Sequence, residues 1–280
     1  MSKYNKVNDL KGVNDINGVR FIKNDKYALC LIDNLSEELK DNIRSQLTSI
    51  CHGPSKASIG RKAHNYKNTL KEFIKRYETK PLPTRVGMIG EMLTHILIIE
   101  YFTEFNTVSP YFNLEERSIK KGFDLVLFSN NEKELWITEV KSGELHQNKN
   151  SNETSKVLLG NAKRDLKKRL NEQEISFWEN AINGAYVALA KKKDIKDAVV
   201  ELLLDIEDTI SDQQSKSTDK NVLLVGSLFS NLSDEVIEEE IQKISISVEQ
   251  EKLFGKLIVF SIQKNTYENV ISFLMEEAEK

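Results

Sequence analysis

Two apolar runs separated by a short polar stretch, Lys121-Gly-Phe-Asp-Leu-Val-Leu-Phe128 and Trp136-Ile-Thr-Glu-Val-Lys-Ser142, set the tightest limit on this chain. Ser129-Asn-Asn-Glu-Lys133 between them supplies turn residues, so the spacing predicts an antiparallel hairpin. Side chains alternate across a strand, which puts Glu139 and Lys141 on one face. Asp124 stands 15 residues before Glu139 and comes beside it across such a hairpin. Asp is disfavoured in strands, and here it lies between Phe123 and Leu125, so a reason beyond folding is expected.

Two carboxylates at one end of a buried hairpin suit a hard cation, Mg2+ or Mn2+ in its place, which takes one or two protein carboxylates plus water and substrate phosphate. The Lys141 ammonium would then reach the attacking water or the charged transition state. The bare acid-x-Lys pattern decides nothing, because 43 acids in 280 residues give roughly five matches by chance. Six occur, and only the one ending at Lys141 follows a second apolar run with its own Asp after a Gly. The plainer alternatives are an exposed cross-strand ion pair for Glu139 and Lys141 and an edge-strand acid for Asp124. Glu91 lies in the helical run Val86 to Phe102, apolar around most of its circumference. A carboxylate there is costly unless paired. It could orient hydrated metal, or it could serve the helix dipole or contact His95 one turn on. Gly90 beside it would allow close approach of the hairpin.

Gly90-Glu91 on a helix, Gly122-Phe-Asp124 on a strand and Glu139-Val-Lys141 on the next together resemble the PD-(D/E)xK nuclease superfamily, with Phe123 where that superfamily often has Pro. Gly122-Phe-Asp-Leu-Val-Leu127 followed by Trp136-Ile-Thr-Glu-Val-Lys-Ser-Gly-Glu144 more narrowly resembles the HamA family, nuclease subunits of the two-component Hachiman anti-phage defence system. The motif resemblance is strongest between residues 85 and 200. It implies an α/β fold of the restriction-endonuclease type, a mixed central sheet flanked by helices with additional N- and C-terminal elements. It also implies a Mg2+-dependent DNA endonuclease held in check by a separate ATP-dependent helicase, HamB, until infection disturbs DNA. Carried over residue by residue, Asp124 and Glu139 would ligate metal, the Val140 backbone carbonyl could add a ligand, Lys141 would be catalytic and Glu91 accessory. Two other classes stay open: an autonomous restriction or repair nuclease of the same fold, and a catalytically silent binding subunit.

Composition fits an intracellular enzyme, and the cytoplasm is the expected location. With 39% hydrophobic residues the chain can bury a substantial core. Cys30 and Cys51 are too few for a disulfide framework, and Cys51-His52 has no partner ligands at zinc spacing, so free structural thiols are expected. No run is read as reaching the length of a membrane span, and Met1-Ser-Lys-Tyr-Asn-Lys6 has no signal-peptide core. No glycine-rich phosphate loop occurs, so ATP hydrolysis is not expected.

The net charge of −3 conceals two basic segments. Arg61 to Lys80 carries seven Lys or Arg against Glu72 and Glu78. Its apolar residues Tyr66, Leu70, Phe73, Ile74 and Tyr77 alternate with the charges as an amphipathic helix requires, so core packing ranks ahead of DNA contact. Lys156 to Glu172 carries six against Asp165 and Glu172. There Lys163, Arg164, Lys167 and Lys168 are candidate DNA-binding residues along a phosphate backbone, with Lys163 the choice for active-site support; a solvated face is the alternative. Acidic stretches Glu201 to Asp212 and Asp234 to Glu240 are candidate protein contacts or solvated faces.

Along the chain, Tyr27 to Asp33 reads as a strand, Glu37 to about Ile50 as a helix, His52 to Lys56 as a loop, and Lys80-Pro-Leu-Pro83 as a separator before the helix of Glu91. Glu144 to Ser155 reads as a mobile polar loop, followed by helices over about 155–170, 176–190 and 194–210. Asp212 to Asp219 is the best linker candidate. Beyond it, Asn221 to Phe229 and Leu257 to Gln263 read as strands, with an acidic helix between them and an amphipathic helix after. The expected organisation is one nuclease-like domain over 1–280: a core at about 84–192, an N-terminal elaboration at 1–83, and a C-terminal segment at 213–280 as a candidate extension of the sheet.

Overall fold

The computed structural model describes residues 16–112 and 122–280. In chain order the elements are β1 (Val19–Lys23), β2 (Tyr27–Ile32), α1 (Glu37–His52), α2 (Pro54–Ala57), α3 (Tyr66–Glu78), α4 (Leu82–Tyr101), β3 (Phe105–Thr107), β4 (Leu125–Ser129), β5 (Glu134–Glu144), α5 (Ser151–Asn171), α6 (Ile175–Ala188), α7 (Lys193–Ser211), β6 (Asn221–Phe229), α8 (Glu238–Gln250), β7 (Leu257–Lys264) and α9 (Glu268–Glu279).

The seven strands among the described residues form one mixed sheet in the order β1-β2-β7-β6-β5-β4-β3. Strands β5, β6, β7 and β2 are mutually parallel, and antiparallel pairs form both edges. The parallel strands β2 and β7 are buried throughout, as strands covered on both faces must be. One face packs on α1, α3, α4 and α9, and the other on α5, α6, α7 and α8. The C-terminal strands β6 and β7 join the same sheet, as the candidate extension proposed, and they lie in its middle, between β5 and β2.

Local chemistry explains several departures from the expected elements. The polar stretch before α5 is shorter than a loop to Ser155, because Asn150 and Glu153 form a capping box and start the helix at Ser151. Ser151, Thr154 and Ser155 are buried. Helix α4 begins at Leu82, since Pro83 within the first turn withholds no needed donor. It has the length and apolarity of a membrane span, contrary to expectation, but much of it is buried against the rest of the fold. The stretch after α7 is no free linker: Ser215 and Ser217 are buried, and Ser217 N–H donates to Asn171 Oδ1 at 3.2 Å. The expected loop after His52 holds a short helix, α2, entered through Gly53 at φ 84°. Cys30 and Cys51 are buried free thiols.

Candidate active site

The expected hairpin is β4–β5, antiparallel, with Leu125 opposite Thr138 as its last pair on this side. Strand β5 outruns β4, and Asp124 stands one residue before β4 begins. Its Oδ2 accepts the Val140 backbone N–H at 2.7 Å, so the carboxylate takes the place of the next ladder contact. That bond brings Asp124 to the level of Glu139. Phe123, the residue before Asp124, is buried in the core, with its ring centroid 4.8 Å from Trp178 and 6.1 Å from Phe177. An apolar anchor thus serves where a Pro was the alternative.

Alternation along β5 turns Trp136 and Val140 toward the α4 layer and Ile137 and Glu139 toward the α5 layer. Glu139 is 1% exposed. Its two oxygens are held separately: Lys141 Nζ lies 2.8 Å from Oε1, and Arg169 Nη1 lies 2.7 Å from Oε2. Arg169 also donates to the Gly122 carbonyl at 3.2 Å, tying α5 to the segment that carries Asp124. Lys141 has a second partner on α5, Asp165 Oδ2 at 3.1 Å. Burial, then the neighbouring Asp124 charge, push the Glu139 carboxyl up to about 7, against the pull of Arg169 and Lys141. For Lys141, burial lowers the pKa, but Glu139 and Asp165 more than offset it and the net shift is upward.

Glu91 approaches from the other side of the sheet. Helix α4 crosses β5 at Gly90, where an added Cβ would fall 1.9 Å from Ser142 Oγ and 3.1 Å from Ser227 Oγ. The close approach expected of Gly90 is therefore real, and its neighbour Glu91 is brought near the sheet by it. The Tyr111 hydroxyl donates to the Met88 carbonyl, three residues before Glu91, at 3.3 Å. Burial first, then the Glu91 carboxylate, with smaller effects from Cys51 and Asp124, raise its pKa well above that of a free phenol. Among the described residues no three His, Cys, Asp or Glu side chains stand together at metal-holding distances, so Glu91, Asp124 and Glu139 are not drawn into one ligand cluster.

A family model matches residues 7–278 of the chain, and it is the model of HamA. The chain belongs to the HamA family. It is thus a component of the Hachiman defence system. No curated protein is matched by sequence.

The HamA match runs through both basic segments, and the structure treats their cations differently. On α5, Lys163 pairs with Glu251 at 2.5 Å, Arg164 with Asp165 at 3.4 Å and Lys168 with Glu172 at 3.4 Å, while Lys167 is exposed. Lys163 therefore faces α8 and its following turn, and the helix sends Asp165 and Arg169 to the site instead. Neither was singled out from sequence. The available signal was that they lie four residues apart, flanking the buried stripe Leu158, Leu159, Ala162, Leu166 and Leu170. Tyr111 carried no signal at all. The acidic segment at Asp234 is partly used internally: Asp234 accepts from the Ser151 N–H at 2.7 Å, and Glu235 pairs with Arg20. A broad groove of about 1830 Å3, lined by Phe105, Trp136 and Phe254 among others, lies at the opposite end of β5, and Asp124, Glu139 and Lys141 do not line it.

Proposed function

We propose that this HamA chain is a metal-dependent DNA endonuclease whose centre is Asp124, Glu139 and Lys141. The observation that carries the reading is the buried Glu139, level with a second carboxylate and within 2.8 Å of Lys141. Folding alone gives little reason to bury a carboxylate beside another, since each raises the cost of ionising its neighbour. A hard divalent cation removes that repulsion, and oxygen donors suit Mg2+ or Mn2+. Asp124 and Glu139 would hold it. The Val140 carbonyl could add a donor on the same edge, because N–H and C=O of one strand residue point to the same side. Glu91, on the helix packed across β5, would be accessory.

When bound, the metal supplies Lewis acidity toward a phosphodiester and lowers the pKa of water. The chain's own residues do the rest. Lys141 places a charged amine where negative charge grows on phosphate, Asp165 orients that amine, and Arg169 fixes Glu139 and the Gly122 segment. Each Glu139 oxygen accepts from one cation and keeps a lone pair, so the carboxylate could hold a metal beside Lys141 and Arg169. Control would come from a partner, here the ATP-dependent helicase HamB of the same defence system. Exposed acids on α7 and α8 suit protein contact better than DNA.

Mn2+ titration followed by electron paramagnetic resonance tests the metal centre without requiring cleavage. Wild type is expected to bind Mn2+ more tightly as pH rises through about 7, because the ligand is the ionised Glu139. Asp124→Asn and Glu139→Gln should lose the site. Equal Mn2+ binding by all three proteins would put the metal elsewhere, and Mn2+ binding by wild type without any cleavage under activating conditions would favour the silent binding subunit.

A further inference from the structure

We infer that the outer face of α3 is the track that holds the phosphate backbone of duplex DNA, in place of the α5 cations. This rests on the nuclease reading above and names where its substrate lies. Lys67, Lys71 and Lys75 recur every four residues on the exposed side of α3, opposite the buried Leu70, Phe73 and Tyr77. Four helical residues advance about 6 Å, so the three amines form a row about 12 Å long. Arg61 and Lys62 extend it as exposed cations in the turn before the helix. Among the described residues no carboxylate pairs with any of these five. The nearest acid in sequence, Glu72, is taken by Arg76 at 2.8 Å.

Lys163, Arg164, Lys168 and Arg169 on α5 each face a carboxylate already. A cation so paired must break that contact before it can neutralise a phosphate, whereas the α3 row has only water and counterions to release. The two exposed α5 lysines with no carboxylate pair among the described residues, Lys156 and Lys167, stand about three turns apart rather than in a row. The α3 row is also anchored to the helix that carries Glu91. Phe73 stacks at 6.0 Å with Tyr111, whose hydroxyl donates to the Met88 carbonyl three residues before Glu91, and the Arg76 guanidinium sits 4.1 Å over Phe112. A polyanion with about one charge per 1.7 Å of axis is the complement of such a row.

Fluorescence anisotropy with a labelled 30-base-pair duplex, about 30 pairs long to span the face, in EDTA and at salt from about 50 to about 200 mM reads binding alone. The triple variant K67Q/K71Q/K75Q should bind more weakly, with a log K against log salt slope shallower by about 2.7, the value for three lost phosphate contacts. K67R/K71R/K75R should keep the wild-type slope, and K167Q/K168Q should leave it nearly unchanged. Matching urea midpoints establish that the exposed substitutions leave folding intact. Equal slopes for wild type and the glutamine triple variant would overturn the inference. So would a loss of slope confined to K167Q/K168Q, or tight binding of anionic lipid vesicles with no binding of duplex. Because EDTA removes the metal, failure of the nuclease reading would leave the slope difference in place while cleavage remained absent.

Discussion

Glu139 concentrates the chemistry of the fold in one carboxyl. Its ionisation is opposed by burial and by Asp124 and assisted by Arg169 and Lys141, and the opposition wins, with titration at about 7 against an ordinary 4.5. Between those values the folded chain keeps a proton that the unfolded chain has released. The stability owed to this group is therefore full below about 4.5 and lost as pH rises through about 7. His52 acts in the opposite sense: burial, then His64 and Lys56, push it down to about 4, so its contribution is present above 6.5 and lost as pH falls through about 4. Comparing wild type with Glu139→Gln cancels the His52 effect. In urea unfolding, wild type should lose on the order of 3 kcal/mol relative to the variant between about pH 5 and about pH 8. A difference that does not change with pH would contradict the burial argument. Arg169→Ala should move the Glu139 titration above about 7 in carboxyl-resolved NMR. It should also slow cleavage about tenfold or more, as loss of a group that orients a ligand does. An unmoved titration would remove Arg169 from the site.

At the level of elements, the meeting of α4 with β5 and β6 depends on one missing methyl group. Gly90→Ala places a Cβ 1.9 Å from Ser142 Oγ and 2.6 Å from Ser142 Cβ, which forces helix and sheet apart. The expected cost is about 1–3 kcal/mol by thermal or urea unfolding. Adding Ser142→Gly should recover part of it, and simple additivity in that double-mutant cycle would show that the contact is not made. Elements with a strong local period were legible from sequence: α1, α3, the β4–β5 hairpin and α5 to α7. The shared face of Glu139 and Lys141 followed from alternation alone. The start of α5 was readable too, because Asn150-Ser-Asn-Glu153 has capping-box spacing, but a polar Asn-rich run reads first as a loop. The edge strands β1 and β3 left no such trace. They are five and three residues long and only partly buried, so their strand character comes from pairing with β2 and β4.

Across the whole molecule, the sheet order was the least legible property. Strands β6 and β7 are apolar runs in sequence, and a strand buried on both faces carries no mark of its neighbours. Only the fold shows that a segment beyond residue 213 lies beside the strand of Glu139 and Lys141, with Val225 opposite Val140. Asp165 and Arg169 were hidden for a related reason, since their partners on β5 are 24 and 30 residues away in sequence. Charge is likewise arranged at this scale: the basic row on α3 and the acids of α7 and α8 lie on opposite layers of the sheet. The decisive measurement is single-turnover cleavage of supercoiled plasmid with Mg2+ by wild type, Glu139→Gln and Lys141→Ala, each together with HamB and ATP. Nicking or linearisation by wild type, abolished by EDTA and reduced at least about 100-fold in both variants, is the expected result. Cutting that survives in either variant, or wild type that leaves the plasmid intact in every combination, would contradict it.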